Sequence, residues 1–499
     1  MVLPAVFHLA TTSNNYLSSL TIQIKNFKNK TNMKKLLSIA IVAAVLATGC
    51  RKIEVDGTTT VITTGGGGTP TGQTITLEGK ISKDTTLKAI NTYILKGLVY
   101  MTNNATMTIE AGTTIKGDII TVGGLVVTRG SKVVAQGSVD KPIIFTSNSA
   151  TPRSGDWAGI VLLGKAPTNS SFNGTAGLGE IEGGINDANG NGLYGGTDAA
   201  DNSGVLSYVR IEYAGYAFLP DKEINSLTMG GVGNGTQIDH VQVTYAKDDA
   251  YEWFGGTVNC KYLIAYKTQD DDFDTDNGFS GKVQFGLVIR DSSVADISKS
   301  EAFESDNDAN GSTLSPATAA VFSNITAIGP KATLTNNGSS LFLAGAHIRR
   351  NTKESIFNSV FLGWPTGILI DATKGSPTDL NINDSSLRIR NCIIAGCGTS
   401  VSYAASTSAP TGATTASIQT WFTTPSFGNT ILATNDDAKF VNPFNYSLPD
   451  FGPFGTSPAA TGANFTDAKL TGFSVVTFRG AIAPAGVDAT WHKGWTKFN

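Results

Sequence analysis

The chain carries little charge. Asp, Glu, Lys and Arg make up 15% of its 499 residues, against the ~25% usual in soluble domains. It has no basic excess either: 37 Lys and Arg face 40 Asp and Glu, a formal net charge of −3. That excludes a generic nucleic-acid binder, because nothing is present to displace counterions from a run of phosphates. Four cysteines are too few for a disulfide scaffold. No apolar run reaches the ~20 residues of a membrane-spanning helix. G-x-S-x-G, H-E-x-x-H and the phosphate-binding P-loop pattern are missing, so nothing points to a nucleotide or redox cofactor. What the chain does have is 56 Gly, much Thr, Ser and Asn, and 9% aromatic residues. That composition suits short strands and tight turns around a large core, and it argues against disorder.

The N-terminal region reads as an export signal. Met33-Lys34-Lys35 precedes an apolar stretch from Leu36 to Ala47, then Thr48-Gly49-Cys50. Ala47-Thr48-Gly49-Cys50 resembles a bacterial lipobox, which implies lipidation of Cys50 and attachment to a membrane through that lipid. Residues 1–32 are then an upstream extension ahead of the signal at 33–49. Residues 1–49 contain five Lys and no acid, so the remainder sits near −8. Residues 50–75, with Gly65-Gly66-Gly67-Gly68, read as a flexible tether. Cys260, Cys392 and Cys397 show no metal-ligand spacing and are expected as small core thiols.

From residue 76 to 440, short strand-like runs bounded by Gly, Asn, Asp and Ser replace any long helical pattern. Tyrosines align at Tyr213, Tyr245 and Tyr266, and an acidic-aromatic motif recurs. Asp249-Ala250-Tyr251-Glu252-Trp253-Phe254 is echoed by Asp271-Asp272-Phe273-Asp274-Thr275-Asp276 and by Glu301-Ala302-Phe303-Glu304-Ser305-Asp306, at steps of 22 and 30 residues. A hairpin-built sandwich has short strands but does not repeat a motif in register. A solenoid does, because each coil returns the chain to the same azimuth. The pattern therefore predicts an all-β, right-handed parallel β-helix with coils ~4.8 Å apart. Residues 165–203 form a loop insertion, and the Pro-rich residues 441–499 are expected to cap the last coil.

Gly155-Asp156-Trp157-Ala158-Gly159-Ile160, Val209-Arg210-Ile211-Glu212-Tyr213-Ala214-Gly215 and Asp248–Gly256 resemble a family of exported Bacteroidota lipoproteins. The ending Phe478-Arg479-Gly480-Ala481 with Trp491–Thr496 matches it too. The resemblance covers roughly residues 80–499. It implies a parallel β-helix body anchored in the outer membrane, on its periplasmic or cell-surface face, and carries no established activity.

With Tyr251, Phe273 and Phe303 stacked inward, strand alternation sends Glu252, Asp274 and Glu304 outward as one acidic ladder. Asp276 and Asp306 start a second. Like charges ~5 Å apart repel, so such a ladder needs a cation, raised pKa values or screening water. Three segments place oxygen ligands at alternate positions, as Ca²⁺ loops do. They are Asp187, Asn189 and Asn191 with Asp198; Asp272, Asp274 and Asp276; and Asp306, Asp308 and Asn310. At Asp274 and Asp276 the ladder and loop readings compete. Tyr251, Trp253, Tyr194, Tyr216 and Trp364 are candidate sugar contacts, against a reading as core aromatics. A catalytic reading would draw its base from Arg290, Arg349, Arg350, Arg388 or Arg390, with His240 or His347 as acid or base, and none is singled out. The sequence thus predicts an acidic, Ca²⁺-stabilised surface binding glycan or another envelope partner. A Ca²⁺-dependent polysaccharide lyase or glycoside hydrolase is the alternative. The two readings separate on whether Arg or His reaches the acids in a groove.

Overall fold

The computed structural model describes residues 50–55, 58–63, 72–219, 222–331, 338–446 and 450–498. The upstream extension, the signal and Gly65–Gly68 lie outside them. The body is a right-handed parallel β-helix, as the repeat predicts. Every coil contributes to three parallel sheets. The first runs through Thr114–Gly117, Ile143–Ser147 and residues 209–212, 241–244, 263–266, 286–289 and 325–328 to Thr430–Leu432. The second rises from Thr85–Leu87 to Ile389–Arg390. The third runs from Gly124–Val127 through Leu227–Gly230, Tyr251–Phe254, Phe273–Asp276 and Phe303–Ser305 to Thr399–Ala404. Tyr251, Phe273 and Phe303 are in register and fully buried, with ring centroids 5.7 and 5.4 Å apart.

From Tyr208 onward, each coil turns from the second sheet into the first through one left-handed residue. Tyr208, His240, Tyr262 and Phe285 hold this corner in four successive coils, followed by Asn324, Asn358 and Asn391, all with φ between 48° and 63°. Asn tolerates this conformation readily. The aromatic residues offset its cost by stacking, at 4.3, 4.5 and 5.0 Å. A second corner holds Tyr213 and Tyr245, stacked at 5.2 Å. The expected third member, Tyr266, is one residue out of register: Tyr266 pairs with Thr244, and Lys267 takes the left-handed position.

Two boundaries differ from expectation. Part of the predicted tether is strand: Cys50–Val55 and Thr58–Thr63 form an antiparallel hairpin that joins Thr74–Ile81. Its β-branched Val and Thr residues favour that state. The C-terminal residues also do not cap the last coil. They run back along the solenoid, where Asp467 meets Arg388, the Gly480 N–H donates to Asn358, Ser474 bonds Gln284 and Lys497 bonds Gln242. The reason is the first sheet, whose outer face is apolar. Ile264, Leu287, Ile328, Leu362 and Ile393 pack there against Phe451, Ile482 and Trp495. The coil end is closed instead by helix Thr415–Phe422, which inserts Ile418 and Phe422 into the core and is N-capped by Thr414. Cys260, Cys392 and Cys397 are free thiols.

Candidate functional site

The third sheet carries the acids. Glu252, Asp274 and Glu304 are paired in register across three coils. They do not form a solvated face: Glu252 is 9% exposed. The insertion lies over them. Its Asn169 donates to the Asn307 carbonyl, Thr168 to the Asn277 carbonyl, and Tyr194 packs on Phe254. One turn before each ladder strand stands a second acidic column, Asp249, Asp271 and Glu301. Here the N–H of Asp271 donates to Asp249 (2.9 Å) and that of Glu301 to Asp271 (2.6 Å).

Three groups of potential ligand atoms result, each with its atoms within 4.8 Å of one another: Asp249, Glu252 and Asp274; Asp248, Asp249 and Asp270; and Glu301, Glu304 and His347. They differ in what neutralises them. Glu304 and Asp306 are held by Arg349, and Asp306 also by Arg350 at 2.8 Å. His347 sits between Glu301 and Asp371, 3.1 Å from each. Burial opposes its charge, but the two carboxylates outweigh that and push the imidazole up to about 9, while Asp371 is held down at about 2. The Asp249, Glu252 and Asp274 group has no Lys or Arg ion pair among the described residues. Its one side-chain amide donor among the described residues is Asn225, on Glu252, and the Asp271 N–H donates to Asp249. Burial, reinforced by the neighbouring carboxylates, raises Glu252 and Asp249 well above the usual range. Burial likewise lifts Asp274 to about 7, against the pull of Arg349. Crowded carboxylates in this state hold protons or a hard cation.

The sequence-derived Ca²⁺ loops do not converge. Asp187 accepts from the N–H groups of Asn189 and Asn191 and from the Asn191 amide, and pairs with Lys80 at 2.8 Å, so a lysine stands where an ion would. Asp198 caps a separate turn through the Ala200 N–H. Asp308 accepts from Asn310 and Ser312 in its own loop. Asp272 is buried against Arg290 at 3.0 Å. Asp274 and Asp276 lie in a straight strand, which settles the competition there for the ladder geometry. The proposed sugar contacts Tyr251, Trp253 and Trp364 are fully buried and serve the core, whereas Tyr194, 2% exposed, packs on Phe254 and also lines the groove beside the stripe. Of the candidate bases, Arg349, Arg350 and His347 join the acids. Arg388 is tied to Asp467, Arg390 lies over Phe427, and His240 belongs to the corner stack.

Asp248, Asp249, Asp270, Asp271 and Glu301 were missed as site residues. A signal for three of them was present, since Asp249, Asp271 and Glu301 recur two residues before Tyr251, Phe273 and Phe303, and Asp248 and Asp270 each precede one of these acids. A groove of 360 Å³ opens beside the stripe between the insertion and the coil around Asp308. Ser170, Glu180, Asn277, Asp308 and Asn310 contribute to its walls.

A family described as pectate-lyase-like β-helix domain matches residues 79–437. The chain belongs to this family. No curated protein and no solved structure matches it. Within the pectate-lyase-like body, no helix among the described residues is long and apolar enough to cross a membrane.

Proposed function

We propose that this chain is an exported, lipid-anchored envelope protein that binds glycan through a cation-dependent surface on its pectate-lyase-like scaffold. The observation that carries this reading is the Asp249, Glu252 and Asp274 group: three carboxylates within 4.8 Å, without an ion-paired Lys or Arg among the described residues. An all-oxygen set of this kind suits Ca²⁺. A bound ion would relieve the repulsion that now holds protons on the acids, and would leave outward valences for sugar hydroxyls or carboxylates in the adjoining groove. The lipobox-like Ala47–Cys50 supports the membrane anchor.

The test is thermal melting with Ca²⁺ and with EDTA, followed by titration with a panel of neutral and acidic polysaccharides. A bound ion at a hundred times its Kd adds about 2.7 kcal/mol, and glycan binding should need it. An unchanged melting temperature contradicts the cation reading.

A second reading, a Ca²⁺-dependent polysaccharide lyase or glycoside hydrolase, is favoured by one observation. Arg349, Arg350 and His347 do reach the acidic stripe. Each is committed to carboxylates, and a doubly bonded, charged His347 is no base at neutral pH. The binding reading is therefore preferred. Release of sugars or unsaturated products from polygalacturonate would reverse that choice.

A further inference from the structure

The aromatic corner carries a second candidate site, on a different part of the coil from the acids. Tyr208, His240, Tyr262 and Phe285 stack along the solenoid, and Trp491 of the returning C-terminal segment leans over Tyr262 at 5.1 Å. Between them and that segment lies a cavity of 580 Å³, open to solvent, against Tyr208, His240, Tyr262, Asp488, Trp491 and Lys493. That size falls within the ~300–1,000 Å³ of small-molecule sites. Among the described residues Tyr208 is the last ring of the stack; Trp495 meets it edge-on at 5.7 Å, and Val139 and Gly494 border the cavity.

The polar groups around this cavity are unspent. Neither the Tyr208 nor the Tyr262 hydroxyl has a hydrogen-bond partner among the described residues, whereas Tyr251, Tyr266 and Tyr446 each donate to a backbone carbonyl. Asp488 and Lys493 have no ion-pair partner among the described residues. His240 is oriented by Asp239, which takes Nδ1 at 2.7 Å and itself accepts from Ser207 and Gln237, and Nε2 has no hydrogen-bond partner among the described residues. Trp491 is fixed by its indole N–H donating to the Ala481 carbonyl at 2.8 Å.

Flat apolar rings bordered by hydroxyl, imidazole, carboxylate and ammonium groups restrict the occupant. An acyl chain or an apolar peptide face would strand Asp488 and Lys493 without partners. A polyanion would meet Asp488, and the two opposite charges leave no net field to hold it. A pyranose ring fits both requirements, with its C–H face on an aromatic ring and its equatorial hydroxyls reaching the polar rim. We propose that this aromatic groove binds a pyranose unit of a neutral glycan, with Trp491 and Tyr208 as platforms and His240, Asp488 and Lys493 as hydroxyl partners. The site goes beyond the cation-dependent surface and needs no metal.

The test is calorimetric titration of the whole protein, in EDTA, with cellotetraose, galactotetraose and mannotetraose. At least one should bind, with Kd of roughly 0.1–1 mM. Trp491→Ala should weaken it about tenfold and Tyr208→Phe or Asp488→Asn about threefold. The latter two groove variants alter only side-chain polar groups that have no hydrogen-bond partner among the described residues, so they decide the matter if Trp491→Ala fails to fold. The proposal is overturned if none of the three sugars binds in EDTA or if binding survives the groove variants. Binding that appears only with Ca²⁺ would place the sugar on the acidic stripe instead.

Discussion

Two ladders climb this solenoid, and the same coil spacing acts on them in opposite ways. Tyr208, His240, Tyr262 and Phe285 stand 4.3–5.0 Å apart, a separation at which rings attract. Glu252, Asp274 and Glu304 repeat on the same rise, a separation at which ionised carboxylates repel. The β-helix imposes the distance, and the residue type decides whether repetition stabilises. A ring ladder completes itself. An acidic ladder needs something brought to it. In the upper coils Arg349, Arg350 and His347 supply the charge. In the lower coils, at Asp249, Glu252 and Asp274, the described residues make no ion pair, and only the more distant pull of Arg349 and Arg350 reaches Asp274. That contrast within one stripe marks the lower coils as the place for an external cation.

The contrast can be broken most severely at its base. Phe273→Ala removes the middle ring beneath the acids and should cost about 3–5 kcal/mol in denaturant unfolding. Arg349→Met should cost less, about 2 kcal/mol, because the guanidinium is only partly buried and leaves Glu304 and Asp306 opposed. That loss should be larger at about pH 8 than at about pH 5, where the carboxylates can take up protons. Glu252→Gln should have the smallest and opposite effect. It stabilises the metal-free protein by about 1 kcal/mol at neutral pH, by removing the cost of keeping Glu252 protonated among crowded carboxylates, and it blunts the response to Ca²⁺.

The pH dependence sharpens the same comparison. Glu252, Asp249 and Asp274 hold protons more tightly folded than unfolded, Asp274 to about 7. His347 does so to about 9. Between the unfolded carboxylate range and about pH 9 the native state therefore binds more protons, so metal-free stability should fall as pH rises. Asp371 and Asp187 act the other way, contributing stability that is lost only below the ordinary Asp range. A melting profile should peak near pH 5, and saturating Ca²⁺ should flatten its alkaline limb up to neutral pH.

The fold was legible because three segments repeat an acid–aromatic pattern, which places Tyr251, Phe273 and Phe303 one above another. The ladder followed from strand alternation alone. Its burial did not, because the cover comes from an insertion tens of residues upstream, and no local pattern says where a loop lies. The Ca²⁺ loops misled for a specific reason. Asp and Asn in Gly-rich turns bond their own backbone N–H groups, as Asp187 and Asp308 do. The returning C-terminal segment left a trace that could have been read. Leu263-Ile264-Ala265-Tyr266 and Gly286-Leu287-Val288-Ile289 are apolar on both faces, and a strand of that kind is covered on both sides.

The most direct test of the cation account is proton release. Calorimetric titration of Ca²⁺ near pH 6.5, in buffers of different ionisation enthalpy, reports the protons displaced on binding. Net release in the native protein, abolished in Glu252→Gln, is the expected result. Binding without proton release, or no binding at all, would contradict the claim that Asp249, Glu252 and Asp274 await a metal.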